Sequence, residues 1–275
     1  MATSTFSAKI TNLVGGTIDD DACDDWMTEG AKEIINQLPV NLLRLCTSNT
    51  TFTSQAAGSE SSGSGNLLNT GKVLNVFAGN FACRFISNLD KYKAEDSDNV
   101  LYATATDPAY YIERSLINVL PAGISTSRYE EVQYPTVDIS SDNAIALFPD
   151  EAEHLVVLYA AMRQLLQYQS TMSASWNDDI TTALTAVNTA ADDIKAEIVL
   201  ANAEVDLEDM EKASGYLATA QAYIAEAGGY IAEVSSRLQS DSAKYQWYGD
   251  QYAKLSAEYA RGLAAVKGTT EGGGA

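Results

Sequence analysis

After Pro149 the chain runs 126 residues without another proline, and this half keeps one apolar rhythm nearly to its end. Ile180, Leu184, Val187, Ala191, Ile194, Ile198, Ala201 and Val205 are separated by alternating steps of four and three. That is a heptad seam, the pattern of a helix that packs lengthwise on another helix. Tyr216, Ala220, Tyr223, Ala227, Tyr230, Val234 and Leu238 continue it and end on two successive four-steps, a stutter that locally unwinds a supercoil. Tyr245, Tyr248, Tyr252, Leu255 and Tyr259 take it up again. Small Ala alternating with large Tyr predicts close helix approach with aromatic rims. Gly215 and the pair Gly228-Gly229 each weaken a helix by about 1 kcal/mol relative to Ala, so they mark candidate breaks. Residues 206–215 (DLEDMEKASG) are the favoured turn, which makes the segment a helical hairpin; one unbroken rod is the other arrangement. Twelve residues are expected to carry helix packing or oligomer contacts. On the first helix these are Ile180, Leu184, Val187, Ile194 and Ile198; on the second, Tyr223, Tyr230, Tyr245, Tyr248, Tyr252, Leu255 and Tyr259.

The first half reads differently. Residues 1–18 are polar and end in Val14-Gly15-Gly16-Thr17. Asp19-Asp20-Asp21 then suits a helix N-terminus through capping and the dipole. Ala22, Trp26, Ile34 and Leu38 share a face, with Met27, Ala31 and Ile35 beside it, so an amphipathic helix runs up to Pro39. Val40 to Cys46 is a short apolar element of open type. Residues 47–71 are rich in Ser, Thr, Gly and Asn and are expected to form a flexible loop or hairpin tip. Strand patterns follow at Val73–Phe77 and Phe81–Phe85, at Tyr110–Ile112 and Leu116–Leu120 around a Glu113-Arg114-Ser115 turn, and at Glu131–Tyr134. Phe148-Pro149-Asp150-Glu151 opens a helix, and Leu155 to Leu166 is apolar on nearly every side, the mark of a buried helix. The expected fold is mainly α with a small β-sheet (α+β). An N-terminal helical domain with inserted short strands covers 1–174. Long helices forming a hairpin or coiled coil cover 175–266, and 267–275 is a flexible tail.

Composition narrows the chemistry. Of the 275 residues 46% are apolar, enough for a real core, and the net charge is −20. A chain this acidic is not expected to grip nucleic acid through its phosphates, which takes Lys and Arg. Cys23, Cys46 and Cys83 are odd in number and widely spaced, so they read as three buried or half-buried thiols of a chain made in a reducing cytoplasm rather than a zinc site. The opening MATSTFSAKI lacks the basic and apolar regions of a secretory signal, and no apolar run is long enough to span a membrane. His154, the lone histidine, stands in no nucleophile motif. Asp19, Asp20, Asp21, Asp24 and Asp25 lack the order of a calcium loop, and the glycines lack the Lys-Ser/Thr of a phosphate loop. Arg114 and Arg128 are isolated and are expected to pair with local acids. No catalytic residue, metal or cofactor is expected.

Three segments in order carry a family likeness: DDDACDDWMTEGAKEIINQLP, DPAYYIERSLINVLPAG and ALFPDEAEHLVVLYAAMRQLLQ. Their succession over about residues 10–170 resembles phage head–tail connector, or adaptor, proteins of the tail tubular A-like kind found in marine phages and cyanophages. The ending AKYQWYGDQYAKLSAEYARGL resembles C-terminal helical extensions of phage virion proteins, which the minimal adaptor lacks. The resemblance implies a virion structural protein made in the host cytoplasm. It implies a dodecameric ring between the portal protein and the tail tube, nozzle or fibre proteins, lining a channel that DNA passes through without specific binding. The heptads leave a trimeric coiled-coil fibre, whisker or collar protein as the alternative, and a ligand-binding or enzyme domain with a helical appendage as a third.

Overall fold

The computed structural model describes residues 4–55, 66–124, 126–206 and 209–268. Two compact units emerge: residues 1–160 with 257–275, and residues 161–256. The compositional boundary at 174/175 falls inside a helix. The expected α+β class holds: helices predominate, the strands form small sheets, and two long C-terminal helices pack as a hairpin.

In the first unit, α1 (Phe6–Val14) and α2 (Asp20–Ile35) are set by their caps. Thr5 caps α1, and Gly15, at φ 70°, closes it by donating its N–H to the Thr11 carbonyl. Phe6, Ile10 and Val14 recur every fourth residue and are all buried. The polar reading of residues 1–18 missed this helix, because nine residues are too few turns for the apolar period of Phe6, Ile10, Leu13 and Val14 to stand out among the Ser, Thr and Asn around them. Asp19 caps α2, accepting from the Ala22 N–H, as the Asp cluster predicted. Asp24 and Thr28 on the same helix accept the backbone N–H groups of Ile139 and Val137. The apolar element after Pro39 is one helical turn, α3 (Val40–Leu43), followed by a tighter 3-10 turn over Arg44–Cys46.

The strands form two sheets. β1 (Thr47–Phe52), β7 (Ser127–Val132), β2 (Val73–Ala78) and β3 (Phe81–Ala82) lie in that order, all antiparallel. The second sheet places β4 (Arg84–Phe85) parallel to β5 (Ala109–Glu113), which pairs antiparallel with β6 (Leu116–Leu120). β1 corrects the expectation of a loop across 47–71. Its Ser and Thr side chains hide a β-propensity that pairing with β7 realises, with Phe52 anchoring its end against Tyr129 at 5.7 Å. Of the remainder of that expected loop, residues 53–55 and 66–71 are described and residues 56–65 lie outside the described residues. β7 begins four residues earlier than the Glu131–Tyr134 expectation. Phe52, Val76, Ala78, Ile117, Val119 and Tyr129 make one apolar cluster. Glu131 is buried beside it and accepts the N–H groups of Thr70 and Gly71 and the Thr70 hydroxyl, which ties residues 70–72 to β7. The β5–β6 turn places Arg114 and Ser115 at φ 52° and 63°, the twist that a two-residue hairpin needs.

The long helices are α4 (Asp150–Asp206) and α5 (Met210–Gly268). Asp150, Glu151 and Glu153 occupy the first turn of α4, where the dipole favours them. Ala152, Leu155, Val156, Ala160 and Ala161 are fully buried, so this helix forms a core as its all-round apolar pattern predicted. α4 ends at Asp206 and α5 begins at Met210, at the start of the expected 206–215 turn, and because the two helices pack as a hairpin the unbroken-rod alternative is excluded. Gly215, Gly228 and Gly229 are not breaks. All three lie within α5, whose backbone bonds and packing outweigh about 1 kcal/mol per glycine. Lys267 and Gly268 of the expected tail belong to α5, and 269–275 lie outside the described residues.

Candidate functional site

The feature that could serve function is the hairpin of the second unit, and its seam has a simple logic. On α5 the seam is the line read from sequence: Ala213 and Ala220 are buried, and Tyr216, Tyr223, Ala227, Val234 and Leu238 are half-buried. Tyr245, Tyr248 and Tyr252 follow on the same line, half-buried, and Leu255 is buried. Tyr245 faces Trp176 at 5.2 Å between ring centroids and Tyr248 faces Tyr168 at 5.1 Å. Gln169 donates to the Tyr245 carbonyl. Tyr230 stands at the open edge, donating its hydroxyl to Glu226.

On α4 the structure divides the expected set. Ile194 and Val187 are half-buried, whereas Ile180, Leu184 and Ile198 are exposed. The line that is covered is offset by about one residue: Asp179, Ala183, Ala190, Ile194, Glu197, Ala201 and Glu204. Volume explains the offset. α5 brings bulk into the seam as tyrosine, so α4 meets it with its alanine line, and the larger aliphatics are turned to the border. Two acids of that line have cross-helix partners: Arg237 lies 3.7 Å from Asp179 and Lys212 lies 3.8 Å from Glu204. Lys212 also pairs with Asp209, whose carboxyl it holds below the ordinary value as the cap of α5.

In the first unit the ends of the same helices meet. Tyr259 packs on Tyr159 at 6.2 Å, and burial together with the neighbouring Glu33 charge pushes its phenol up to about 12. Two glycines allow close approach: a Cβ at Gly30 would stand 2.8 Å from the Tyr159 ring, and one at Gly262 would stand 2.4 Å from Leu155. His154 lines a shallow groove with Lys9, Asp150, Glu153 and Glu258, and no serine, threonine or cysteine lines it. Among the described residues no group of three or more His, Cys, Asp and Glu side chains is placed to hold a metal ion. Of the aspartates around the start of α2, Asp19 caps the helix and Asp24 tethers the backbone at Ile139. Burial pushes the thiols up, Cys23 to about 12, Cys46 to about 11 and Cys83 to about 12. Arg128 differs from expectation: it lies over the Phe77 ring at 4.6 Å and donates to the Gly79 carbonyl rather than to an acid.

Sequence reasoning passed over a second set of side chains: Met210, Leu217, Ile224 and Ile231 of α5, all exposed. Their seven-residue spacing was legible, but the tyrosine line beside them is heavier and drew the reading. Among the described residues no helix is long and apolar enough to cross a membrane. Comparison with protein-family models, with curated protein sequences and with solved structures gives no match.

Proposed function

We propose that this chain is a non-enzymatic virion structural protein, a head-to-tail connector whose ring joins the portal to the tail and lines the DNA channel. The observation that carries the reading is where the three connector-like segments lie. α2, the β5–β6 hairpin and the first turns of α4 all belong to one compact unit, with Gly30 of α2 seated on Tyr159 of α4. The net charge of −20 supports it physically, since an acidic wall repels the phosphate backbone and lets DNA pass. The test is the native mass of the purified chain, with negative-stain imaging, alone and mixed with a portal ring. Rings with a central hole are expected. A chain that stays monomeric under both conditions overturns the reading.

A trimeric fibre, whisker or collar protein is the second reading, favoured by the heptad line of α4 that its own hairpin leaves exposed. Slender particles of three chains, without a central hole, would establish it over the ring.

A further inference from the structure

One face of the hairpin is apolar, uncharged and unused within the chain. On α5 it consists of Met210, Leu217, Ile224 and Ile231, with Ser214, Gln221, Gly228 and Ser235 at the intervening four- and three-steps. On α4 it consists of Ile180, Leu184, Ala191, Ile198 and Val205, exposed, with Val187 half-buried at its edge, while Ile194 and Ala201 of the same heptad line turn into the hairpin's own seam. Ile180, Leu184, Ile198, Val205 and the four large residues of α5 are between 43% and 66% exposed. The two lines share a face, because Ile180, Leu184 and Val187 border one groove with Ile231 and Val234. No charged residue stands on either line; the cross-helix ion pairs Asp179–Arg237 and Glu204–Lys212 are made by residues off both of them.

We propose that this face docks on the same face of a second copy, so that two hairpins form a four-helix bundle. Exposed aliphatic side chains recurring at heptad spacing on both helices fit partner helices of the same period, knobs into holes. The ion pairs fix which residues stand level across the hairpin: Leu184 beside Ile231, Val187 beside Gly228, Ile180 beside Ser235, Ala191 beside Ile224. A two-fold axis parallel to the helices keeps those levels and lays α4 of one copy on α5 of the other. Val187 then meets Gly228, Ile180 meets Ser235 and Ile224 meets Ala191, bulk against gap, while Leu184 meets Ile231, Ile198 meets Leu217 and Val205 meets Met210, aliphatic on aliphatic. The space over Gly228 is open in the single chain, with nothing within 4 Å of a Cβ built there. The exposed parts of the eight large side chains amount to roughly 700 Å², close to the ~800 Å² per partner of a standard interface. Neither a membrane surface nor nucleic acid suits a face with no cation on it.

The pairing does not rest on the connector reading, since a ring, a fibre or a simple dimer could each contain it. Sedimentation equilibrium on the full chain tests it. The wild type is expected to self-associate at micromolar concentration, and Ile224→Glu to weaken that association at least about tenfold with helical circular dichroism unchanged. Thr219→Glu, the same charge on an exposed position off both lines, is expected to leave it intact. Gly228→Leu, which fills the gap and raises helix propensity, is expected to weaken it as Ile224→Glu does, and serves if the first variant loses helix. A wild type monomeric to about 100 µM overturns the proposal, as does an assembly whose mass and affinity neither face variant changes.

Discussion

At the residue scale the backbone's demands decide more than side-chain type. Ser115 carries a Cβ at φ 63° in the β5–β6 turn, a conformation that costs an L-residue about 1–2 kcal/mol. Ser115→Gly is therefore expected to raise stability by about 1 kcal/mol, read as a higher urea midpoint. Gly30 is the reverse case. Its Cβ would collide with the Tyr159 ring, and Gly30→Val is expected to cost about 1–3 kcal/mol by the same measurement. Buried thiols set an alkaline limit. Cys23 keeps its proton to about pH 12 when folded, because of burial and then the Asp19, Asp20 and Asp24 charges, against an ordinary value near 9.0. The unfolded chain ionises first, so this contribution is full below about pH 9 and is lost as pH rises towards 12. The urea midpoint should fall between pH 9 and 11, and less steeply in Cys23→Ala; equal slopes would remove Cys23 from the explanation. The turn that holds Ser115 was legible in the sequence, whereas the Gly30 clash and the depth of Cys23 burial were not. A glycine's contacts and a thiol's burial come from residues more than a hundred places away or from another element.

At the element scale the long helices were the most legible part of the chain. A heptad line over dozens of residues averages out local noise, and Pro149 with its acids marks the start of α4. The offset of α4 was not legible. Two adjacent lines, one aliphatic and one of alanines with acids, satisfy the same period, and only the bulk of the tyrosines on α5 selects between them. β1 was hidden for a related reason: a run of Ser and Thr becomes a strand only where β7 offers a partner. The glycines inside α5 allow a direct test. Gly215 and Gly229 have helical backbone and nothing within 4 Å of an added Cβ. Changing both to Ala is expected to stabilise the chain by about 1 kcal/mol each, visible as a higher thermal midpoint. A lowered midpoint would mean that one of these glycines needs its freedom. Ala220→Glu puts a charge into the covered seam and is expected to open the hairpin, seen as faster proteolysis of residues 161–256.

For the whole molecule, charge and apolar surface are divided between different tasks. With net charge −20, duplex DNA should run unshifted beside the protein in a gel at about 50 mM salt; tight binding there would contradict an acidic channel wall. The sequence by itself determined the class of fold, the presence of long C-terminal helices and the acidity, because each depends on local propensity, periodicity or a simple count, while between a turn at 206–215 and an unbroken rod the packing of the two helices decided. Tertiary structure alone decided which of two heptad lines α4 spends on its own hairpin and which it leaves exposed. It also decided that β1 is a strand and that Asp24 of α2 tethers the backbone at Ile139. Those outcomes depend on the volume, hydrogen-bonding groups and charges that another segment brings to the contact, and no window along one segment contains them.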